Sequence, residues 1–201
     1  MLFEDTYRTI SKESTGIYKE KGSKFLAFAL PINTEEEIKS ELERFRKTYY
    51  DARHHCYAYI LGYDKSAWRV NDDGEPSGTG GRPIYGQLLS NDLTNVLVVV
   101  VRYFGGIKLG VSGLIQAYRA AAADAIANAD IVEETIKETY ELQFKYEQMN
   151  NVMKVLKEDE AEILDTEFDL SCKIIIQIRR SMADKIIKKL QHSYGCNIIY
   201  R

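Results

Sequence analysis

The chain has 201 residues, of which 45% are hydrophobic and 28% are charged, the ordinary balance of a water-soluble globular protein. Its formal net charge of -3, from 27 basic and 30 acidic residues, excludes a uniformly basic nucleic-acid binder. Because no run of about 18 apolar residues occurs, no membrane span is expected. The polar N-terminus does not have the pattern of a secretory signal, so we expect a cytoplasmic protein.

The first two thirds of the chain predict a sheet covered by helices. Thr34 is a candidate N-cap, and Glu37 could close a capping box with it. The apolar run from Val96 is typical of a buried strand, and the alanines after Val111 predict a closely packed helix. The predicted elements in chain order are a hairpin with runs near Tyr18 and at 24–30, a helix from Thr34 to about Tyr49, a strand at 52–61, a loop at 71–83, a strand from Val96 and a helix at about 111–129.

From Lys137 the predicted order is strand, helix, strand, strand, helix, strand, which is the ferredoxin-like arrangement. This predicts a two-domain α+β protein with domains at 1–137 and 138–201. The predicted elements are a strand at 140–146, a helix at 148–157, a hairpin of 161–168 and 172–179 turned at Asp169 and Leu170, a helix at 181–194 capped by Ser181, and a strand at 196–200.

The histidines and cysteines do not predict a metal site or a cofactor. The three cysteines form no CxxC pair, so reduced thiols are expected. On a strand, His54 and Cys56 face one side of the sheet and His55 the other, so one metal ion cannot take both histidines. We predict that His55 is exposed and lines a cleft as a hydrogen-bonding or proton-transfer group.

The loop from Asn71 to Pro83 is long and rich in glycine, which favours a functional role. Its glycines could form a nest of N–H groups for an anion. It is not a Walker loop, because no Lys-Ser/Thr pair follows the glycines. The alternative is that its acids are only solvated. The residues predicted to contact a ligand are Glu75, Ser77, Thr79 and Gly80.

The buried strand ends at Arg102 and is followed by a glycine-rich turn that contains Lys108. An arginine fork and a mobile lysine beside the start of a helix can bind phosphate or an acidic partner. The alternative is that Arg102 pairs with Asp73 or Glu75 of the loop and only shapes the turn. The predicted members of this solvent-facing cationic corner are Lys24, Arg102, Tyr103, Gly105, Gly106 and Lys108.

The second domain separates its charges, with acids concentrated in 158–169 and bases in 179–189. A basic helix beside a small sheet could contact RNA phosphates or an acidic protein surface through Arg179, Arg180 and Lys185. No aromatic pair typical of RNA-stacking strands is evident. The alternative is an ordinary solvated helix face.

Four segments carry a resemblance to a known family: KGSKF at 21–25, ARHHCYAY at 52–59, DDGEPSGTGGRPI at 72–84 and VVRYFGGIKLGVSGLIQAY at 100–118. Together they resemble the YigZ/IMPACT family along the whole chain. The resemblance implies a first domain like the second domain of a small-subunit ribosomal protein and like domain IV of elongation factor G. It implies a second domain like domain V of that factor. Because eukaryotic members act in translational control, it also implies a translation-linked or nucleic-acid-binding role, and it carries over no catalytic residues.

Three functions remain open at this point. The first is a non-enzymatic cytoplasmic protein linked to the regulation of translation, which binds RNA, the ribosome or a translation factor. The second is an enzyme acting on a phosphorylated small molecule through the glycine-rich loop, with His55 or Glu75 as the acid–base group. The third is a protein-interaction module without nucleic-acid contact. We favour the first, because the motifs do not assemble a nucleophile, a base and an orienting group.

Overall fold

The computed structural model describes residues 5–168 and 171–201, which form two compact units. The larger unit comprises residues 7–134, and the smaller comprises 135–201 together with the described residues before Tyr7. This N-terminal segment belongs with the smaller unit because Ile136 N–H donates to the carbonyl of Asp5 at 2.8 Å. In the described part of the chain, every helix is too short or too polar to cross a bilayer.

Seven strands and three helices of the described residues build the larger unit. The elements are β1 (Thr6–Ile10), β2 (Ser14–Glu20), β3 (Ser23–Pro31), α1 (Glu35–Thr48), β4 (His54–Leu61), β5 (Ala67–Asn71), α2 (Gly81–Ser90), β6 (Val96–Tyr103), α3 (Gly110–Ala127) and β7 (Ile131–Thr135). Five of the strands form one antiparallel sheet in the order β2-β3-β6-β4-β5, and β1 pairs with β7 separately.

The five-stranded sheet is covered on both faces. Alternate residues of β6 belong to two different cores, with Val98 and Val100 in one and Val99 and Val101 in the other. Helices α2 and α3 contribute to the first core, and α1 contributes to the second. This double burial is the reason for the uninterrupted apolar run in β6, since polar residues on either face would lose water without gaining a partner.

Helix α1 begins as its sequence predicts. The Thr34 hydroxyl accepts a hydrogen bond from Glu37 N–H at 3.2 Å, which is the N-cap bond. The Glu37 carboxylate accepts from Asn33 N–H at 2.7 Å, one residue earlier than a standard capping box requires. The helix then packs Phe45 against Phe28 of the sheet, with ring centroids 4.7 Å apart.

Helix α3 approaches β2 closely because small residues line the contact. A Cβ atom on Gly16 would lie only 2.2 Å from the backbone nitrogen of Ala125. Ala117, Ala121, Ala122 and Ala125 are all fully buried. The alanine-rich sequence therefore sets a short distance between helix and sheet.

Helix α2 is the main element missing from the sequence analysis. The predicted loop at 71–83 is shorter in the structure, because α2 begins at Gly81 and contains Pro83 in its first turn. A proline is tolerated there, since first-turn N–H groups have no partner within the helix. Two glycines and this proline lower the local helix propensity, which hides the helix from a propensity argument.

The smaller unit has the element order strand, helix, strand, strand, helix, strand that its sequence predicts. The elements are β8 (Lys137–Phe144), a short 3-10 helix (Tyr146–Gln148), α4 (Met149–Glu158), β9 (Glu162–Phe168), β10 (Cys172–Arg179), α5 (Arg180–Tyr194) and β11 (Asn197–Tyr200). The antiparallel sheet has the order β11-β8-β10-β9, and both α-helices contribute to the core. The predicted turn at Asp169 and Leu170 lies outside the described residues.

The start of α5 differs from the prediction of a Ser181 cap. Helix α5 begins at Arg180, and the Ser181 N–H donates to the carboxylate of Asp5 at 3.0 Å. The same carboxylate forms an ion pair with Arg179. Burial would raise the pKa of Asp5, but these hydrogen bonds and the arginine outweigh it and hold the pKa below its ordinary value. Asp5, 176 residues before Ser181, therefore caps α5 in place of Ser181.

Candidate functional site

The ends of β4 and β6 form one wall of a cavity at the start of α3. His54 and Arg102 are paired in the antiparallel register, so their side chains project from the same face of the sheet. They line a cavity of about 450 Å³, which we call the α3 pocket. Its other lining residues are the polar Arg53, Glu75 and Lys108, the apolar Pro76, Phe104, Leu109, Val111 and Leu114, and Gly110.

Glu75 is the central hydrogen-bond acceptor of this pocket. Its Oε1 accepts hydrogen bonds from Arg102 Nη1 at 2.6 Å and from the Tyr118 hydroxyl at 2.8 Å. The side chains of both charged residues are almost fully buried. Arg102 and Glu75 therefore form an internal ion pair, in which each charge compensates the desolvation of the other.

The prediction of a solvent-facing cationic corner is wrong for Arg102. Its residue surface is 5% exposed, and its guanidinium lies 5.4 Å from the ring centroid of Phe25. The alternative left open by the sequence, a pair with Glu75, is what the structure shows. Lys108 is exposed, as predicted, and the structure places it in the lining of the pocket.

Lys24 does not lie on the same face of the sheet as Arg102. It is exposed and paired in register with Tyr103, whose side chain alternates to the opposite face from that of Arg102. The Tyr103 hydroxyl donates to Asp51 at 2.9 Å. Burial and this neighbouring carboxylate raise the pKa of Tyr103. The predicted corner is therefore divided between the two sides of the sheet.

His55 is buried, against the prediction that it lines a cleft. It is 8% exposed, and its Nε2 lies 3.1 Å from the carbonyl oxygen of Tyr49. Its backbone N–H donates to Asp73 Oδ2 at 2.7 Å. The two histidines face opposite sides of the sheet, as predicted. The prediction that the His55 side is open to solvent is wrong, because α1 covers that side of the sheet.

His54 is the pocket residue that the sequence analysis missed. Its Nδ1 lies 2.8 Å from the carbonyl oxygen of Asp73, an atom that only accepts, so Nδ1 carries the proton. Its Nε2 lies 3.9 Å from Glu75 Oε1, beyond hydrogen-bond distance. The signal that could have found it is strand register, since any residue paired with Arg102 shares its face.

The glycine-rich loop does not present its N–H groups to a ligand. Asp72 accepts hydrogen bonds from the backbone N–H groups of Gly78 at 2.8 Å, Gly80 at 2.9 Å and Gly81 at 2.8 Å. The loop therefore forms the predicted kind of nest, but a carboxylate of the chain itself is the anion. The N–H groups of Gly78, Gly80 and Gly81 are therefore not available to bind the phosphate of a substrate, as the enzyme hypothesis requires.

The predicted ligand contacts within this loop have different environments. Ser77 is exposed, whereas Thr79 is buried and its hydroxyl donates to the carbonyl of Pro76 at 2.6 Å. Gly80 is buried against Cys56, and a Cβ there would lie 2.6 Å from the Cys56 Sγ. Of the four predicted residues, Glu75 alone lines the α3 pocket.

The two glycines after β6 shape the turn. Gly105 contacts the β2–β3 turn so closely that a Cβ on it would lie 1.9 Å from the carbonyl carbon of Gly22. Gly106 has a φ of 88°, a left-handed conformation that favours glycine. This turn places Ile107 and Lys108 in solvent.

The three basic residues predicted to bind a partner through the smaller unit are each paired with an acid. Arg179 pairs with Asp5, Arg180 lies 3.4 Å from Glu138, and Lys185 lies 3.1 Å from Asp159. The predicted basic binding surface is therefore largely neutralised by acids of the same unit. Exposed ion pairs of this kind contribute little to the free energy of unfolding. Their main effect is to reduce the net positive charge of this surface.

Cys56 and Tyr118, which lie behind the pocket, are held in their neutral forms. Burial raises the pKa of the Cys56 thiol and that of the Tyr118 hydroxyl, and the carboxylate of Glu75 raises both further. Cys56 is therefore a poor nucleophile at neutral pH. Across residues 5–168 and 171–201, no three His, Cys, Asp or Glu side chains cluster in a way that could hold a metal ion. The α3 pocket is therefore suited to binding a ligand through hydrogen bonds and apolar contacts.

The larger unit is thus an antiparallel sheet with helices on both faces and a pocket at the start of α3, and its sequence matches a known domain. A profile of the Impact N-terminal domain matches residues 21–126, and the chain belongs to the IMPACT family. It is 33% identical to the IMPACT family member YigZ of Escherichia coli (strain K12) over 156 residues, which cover 77% of this chain and 76% of that protein.

Two further proteins are similar over long segments. The IMPACT family member YvyE of Bacillus subtilis (strain 168) is 33% identical over 138 residues, covering 69% of this chain and 64% of that protein. The crystal structure of a hypothetical protein superposes with a TM-score of 0.79 at 26% identity, covering 98% of both chains. The family and the α+β architecture with antiparallel sheets are therefore shown.

Proposed function

We propose that this protein is a non-enzymatic, cytoplasmic, translation-associated protein that binds single-stranded RNA, including exposed RNA of the ribosome. The binding surface in this proposal is the turn and helix start beside the α3 pocket. The observation that carries it is a group of apolar side chains in solvent next to two cations. Phe104 is 45% exposed, Ile107 56% and Val111 58%. The exposed cations Arg53 and Lys108 line the α3 pocket together with Phe104 and Val111.

This combination is what single-stranded RNA requires. An exposed aromatic face accepts an unstacked base, and lysine or arginine contacts the backbone phosphates. A group of apolar side chains exposed to water is unfavourable, so a partner that covers them is expected. The proposed surface uses only two cations, so it does not require the whole chain to be basic, and the formal net charge is -3.

The architecture supports a link to translation. We propose that the larger unit is similar to domain IV of elongation factor G and to the second domain of a small-subunit ribosomal protein. The smaller unit would be ferredoxin-like, similar to domain V of that factor. Supporting this, its four strands have the sheet order fourth-first-third-second and the chain order β-α-β-β-α-β.

A salt series tests the RNA proposal. Binding of a single-stranded RNA of about ten nucleotides is measured by fluorescence anisotropy, and ribosome binding by co-sedimentation. For Arg53→Ala/Lys108→Ala, each lost phosphate contact should reduce the slope of log K against log salt by about 0.7. Lys39→Ala/Arg69→Ala, which removes the same charge from exposed positions outside the α3 pocket, is the matched control. Equal losses in both double variants, or no RNA binding by the wild type, would overturn the proposal.

A further inference from the structure

We infer that the α3 pocket binds one nucleotide unit, with its phosphate at the N-terminus of α3 and its base against the apolar wall. The nucleotide could come from a single-stranded RNA or from a free mononucleotide, and the RNA source rests on the proposed function. The inference depends on three independent features of the pocket: an uncapped helix start, two polar groups without full partners, and an apolar wall.

The first feature is the start of α3. The N-cap residue Leu109 has no side-chain acceptor, so the first N–H groups of this 18-residue helix lack a side-chain cap. Leu109, Gly110 and Val111 all line the pocket, and Lys108 precedes them. Free N–H groups, the helix dipole and an ammonium together form a site for a phosphate. The pocket lining holds three cationic side chains and one carboxylate, so an anion is also favoured by net charge.

The second feature is a buried donor without an acceptor. Among the described residues, the Nε–H of Arg102 is buried and has no hydrogen-bond partner, although the Nη1 of the same side chain donates to Glu75. The Arg102 side chain is 7% exposed and lines the pocket. Buried donors are nearly always paired in folded proteins, which points to a polar ligand atom at this wall.

His54, the register partner of Arg102, adds a second polar group to the pocket lining. Because its Nδ1–H is donated to Asp73, the Nε2 is the His54 nitrogen available to a ligand in the pocket that this residue lines, and an unprotonated Nε2 accepts a hydrogen bond. A donor and an acceptor in one pocket suit the edge of a nucleobase, which presents both kinds of group. An inorganic phosphate could accept from the Arg102 Nε–H, but it has no flat apolar face to pack against Phe104 and Leu114, so a nucleotide would use more of the pocket than an ion.

The third feature is the apolar wall. Phe104, Leu109, Val111 and Leu114 provide a surface against which a flat base can pack. The volume of about 450 Å³ lies within the range of small-molecule sites. A single base and its phosphate therefore fit, whereas a folded RNA helix would contact only the rim.

Nuclear magnetic resonance titration of the full chain tests the inference, with 5′-AMP, 5′-UMP, adenosine and inorganic phosphate as separate probes. We expect saturable shifts at Phe104, Val111 and Leu114 with the mononucleotides, and affinities at least about tenfold higher than those of adenosine or phosphate. Val111→Trp places a large side chain in the pocket and should weaken mononucleotide binding by at least about tenfold. Leu89→Trp, at an exposed apolar position of α2 outside the pocket, is the matched control.

The outcomes separate this inference from the proposed function. Mononucleotide binding, together with RNA binding that Val111→Trp removes, supports both. Mononucleotide binding without RNA binding supports the pocket with a free ligand and overturns only the proposed function. RNA binding that Val111→Trp leaves intact, with no saturable mononucleotide shifts in the wild type, overturns the inference alone. Phe104→Ala, at a half-exposed side chain, repeats the test with a variant that removes volume, and thermal unfolding confirms that each variant is folded.

Discussion

Arg102 and Glu75 meet at 2.6 Å on the inner wall of the α3 pocket, and fewer than a tenth of either side chain reaches solvent. The arginine comes from β6 and the glutamate from the glycine-rich loop, so this ion pair joins the loop to the sheet. Tyr118 of α3 donates to the same carboxylate oxygen. One carboxylate oxygen of the glycine-rich loop therefore holds β6 and α3 together.

Removing that acceptor should destabilise the larger unit strongly. Glu75→Ala leaves the Arg102 charge buried without compensation, and we expect the free energy of unfolding to fall by about 3–5 kcal/mol. Urea unfolding followed by the fluorescence of Trp68, the single tryptophan of the chain, measures this. Arg102→Met/Glu75→Leu replaces both charges and should recover much of the loss. A Glu75→Ala cost below about 1 kcal/mol would show that the pair is not desolvated.

The Asp72 carboxylate should stabilise the start of α2. Asp72→Ala leaves the N–H groups of Gly78, Gly80 and Gly81 without their acceptor, and we expect a loss of about 1–3 kcal/mol. Asp72→Asn keeps one acceptor oxygen and should lose less. Hydrogen exchange at residues 78–84 locates the effect. Unchanged protection there in Asp72→Ala would contradict the assignment of Asp72 as the cap.

Two glycine-to-alanine changes should have opposite signs. At Gly16 a new Cβ would lie 2.2 Å from the backbone of α3, so Gly16→Ala should cost about 1–3 kcal/mol or more through overpacking. At Gly86 nothing lies within 4 Å of the added Cβ, and the residue is inside α2. Gly86→Ala should therefore stabilise by about 0.5–1 kcal/mol. Thermal unfolding of both variants checks this, and equal effects would refute the close approach of β2 and α3.

Asp5 should make the smaller unit sensitive to acid. Its pKa in the folded protein is lowered, so its stabilising contribution is complete above about pH 4 and is lost as the pH falls through the folded value. Asp5→Asn should cost about 1 kcal/mol near neutral pH, with a difference from wild type that shrinks in acid. Hydrogen exchange in α5 at several pH values measures this. Glu147→Gln, at an exposed acid of the same unit, is the control, and a difference independent of pH would contradict the prediction.

Local patterns were enough to predict much of the fold. The Thr34 cap, the buried strand from Val96 and the alanine-rich helix after it each follow from the chemistry of neighbouring residues. The β-α-β-β-α-β order of the smaller unit follows from the same kind of pattern. Helix α2 was missed for two reasons. The carboxylate that caps its first N–H belongs to Asp72, nine residues before Gly81. In addition, Pro83 and two glycines lower the helix propensity of the segment.

The site depended on contacts that no local pattern contains. Alternation showed that His54 and His55 face opposite sides of the sheet, but not that α1 covers His55 and that the pocket opens beside His54. The glycines predicted an anion nest, yet the anion is Asp72 of the same loop. The basic residues of α5 were recognised, but their acidic partners lie on other elements, and one of them is Asp5.

The sequence by itself determined the family, the secondary structure of most segments and the presence of charged and glycine-rich residues at the end of β6. Those properties depend on residue type and on spacings of a few residues, which local sterics and burial dictate. Only the tertiary structure decided which charges compensate each other inside the protein and which face solvent. That choice depends on the distance between atoms from remote segments, because the energy of a charge is set by its burial and its nearest partner.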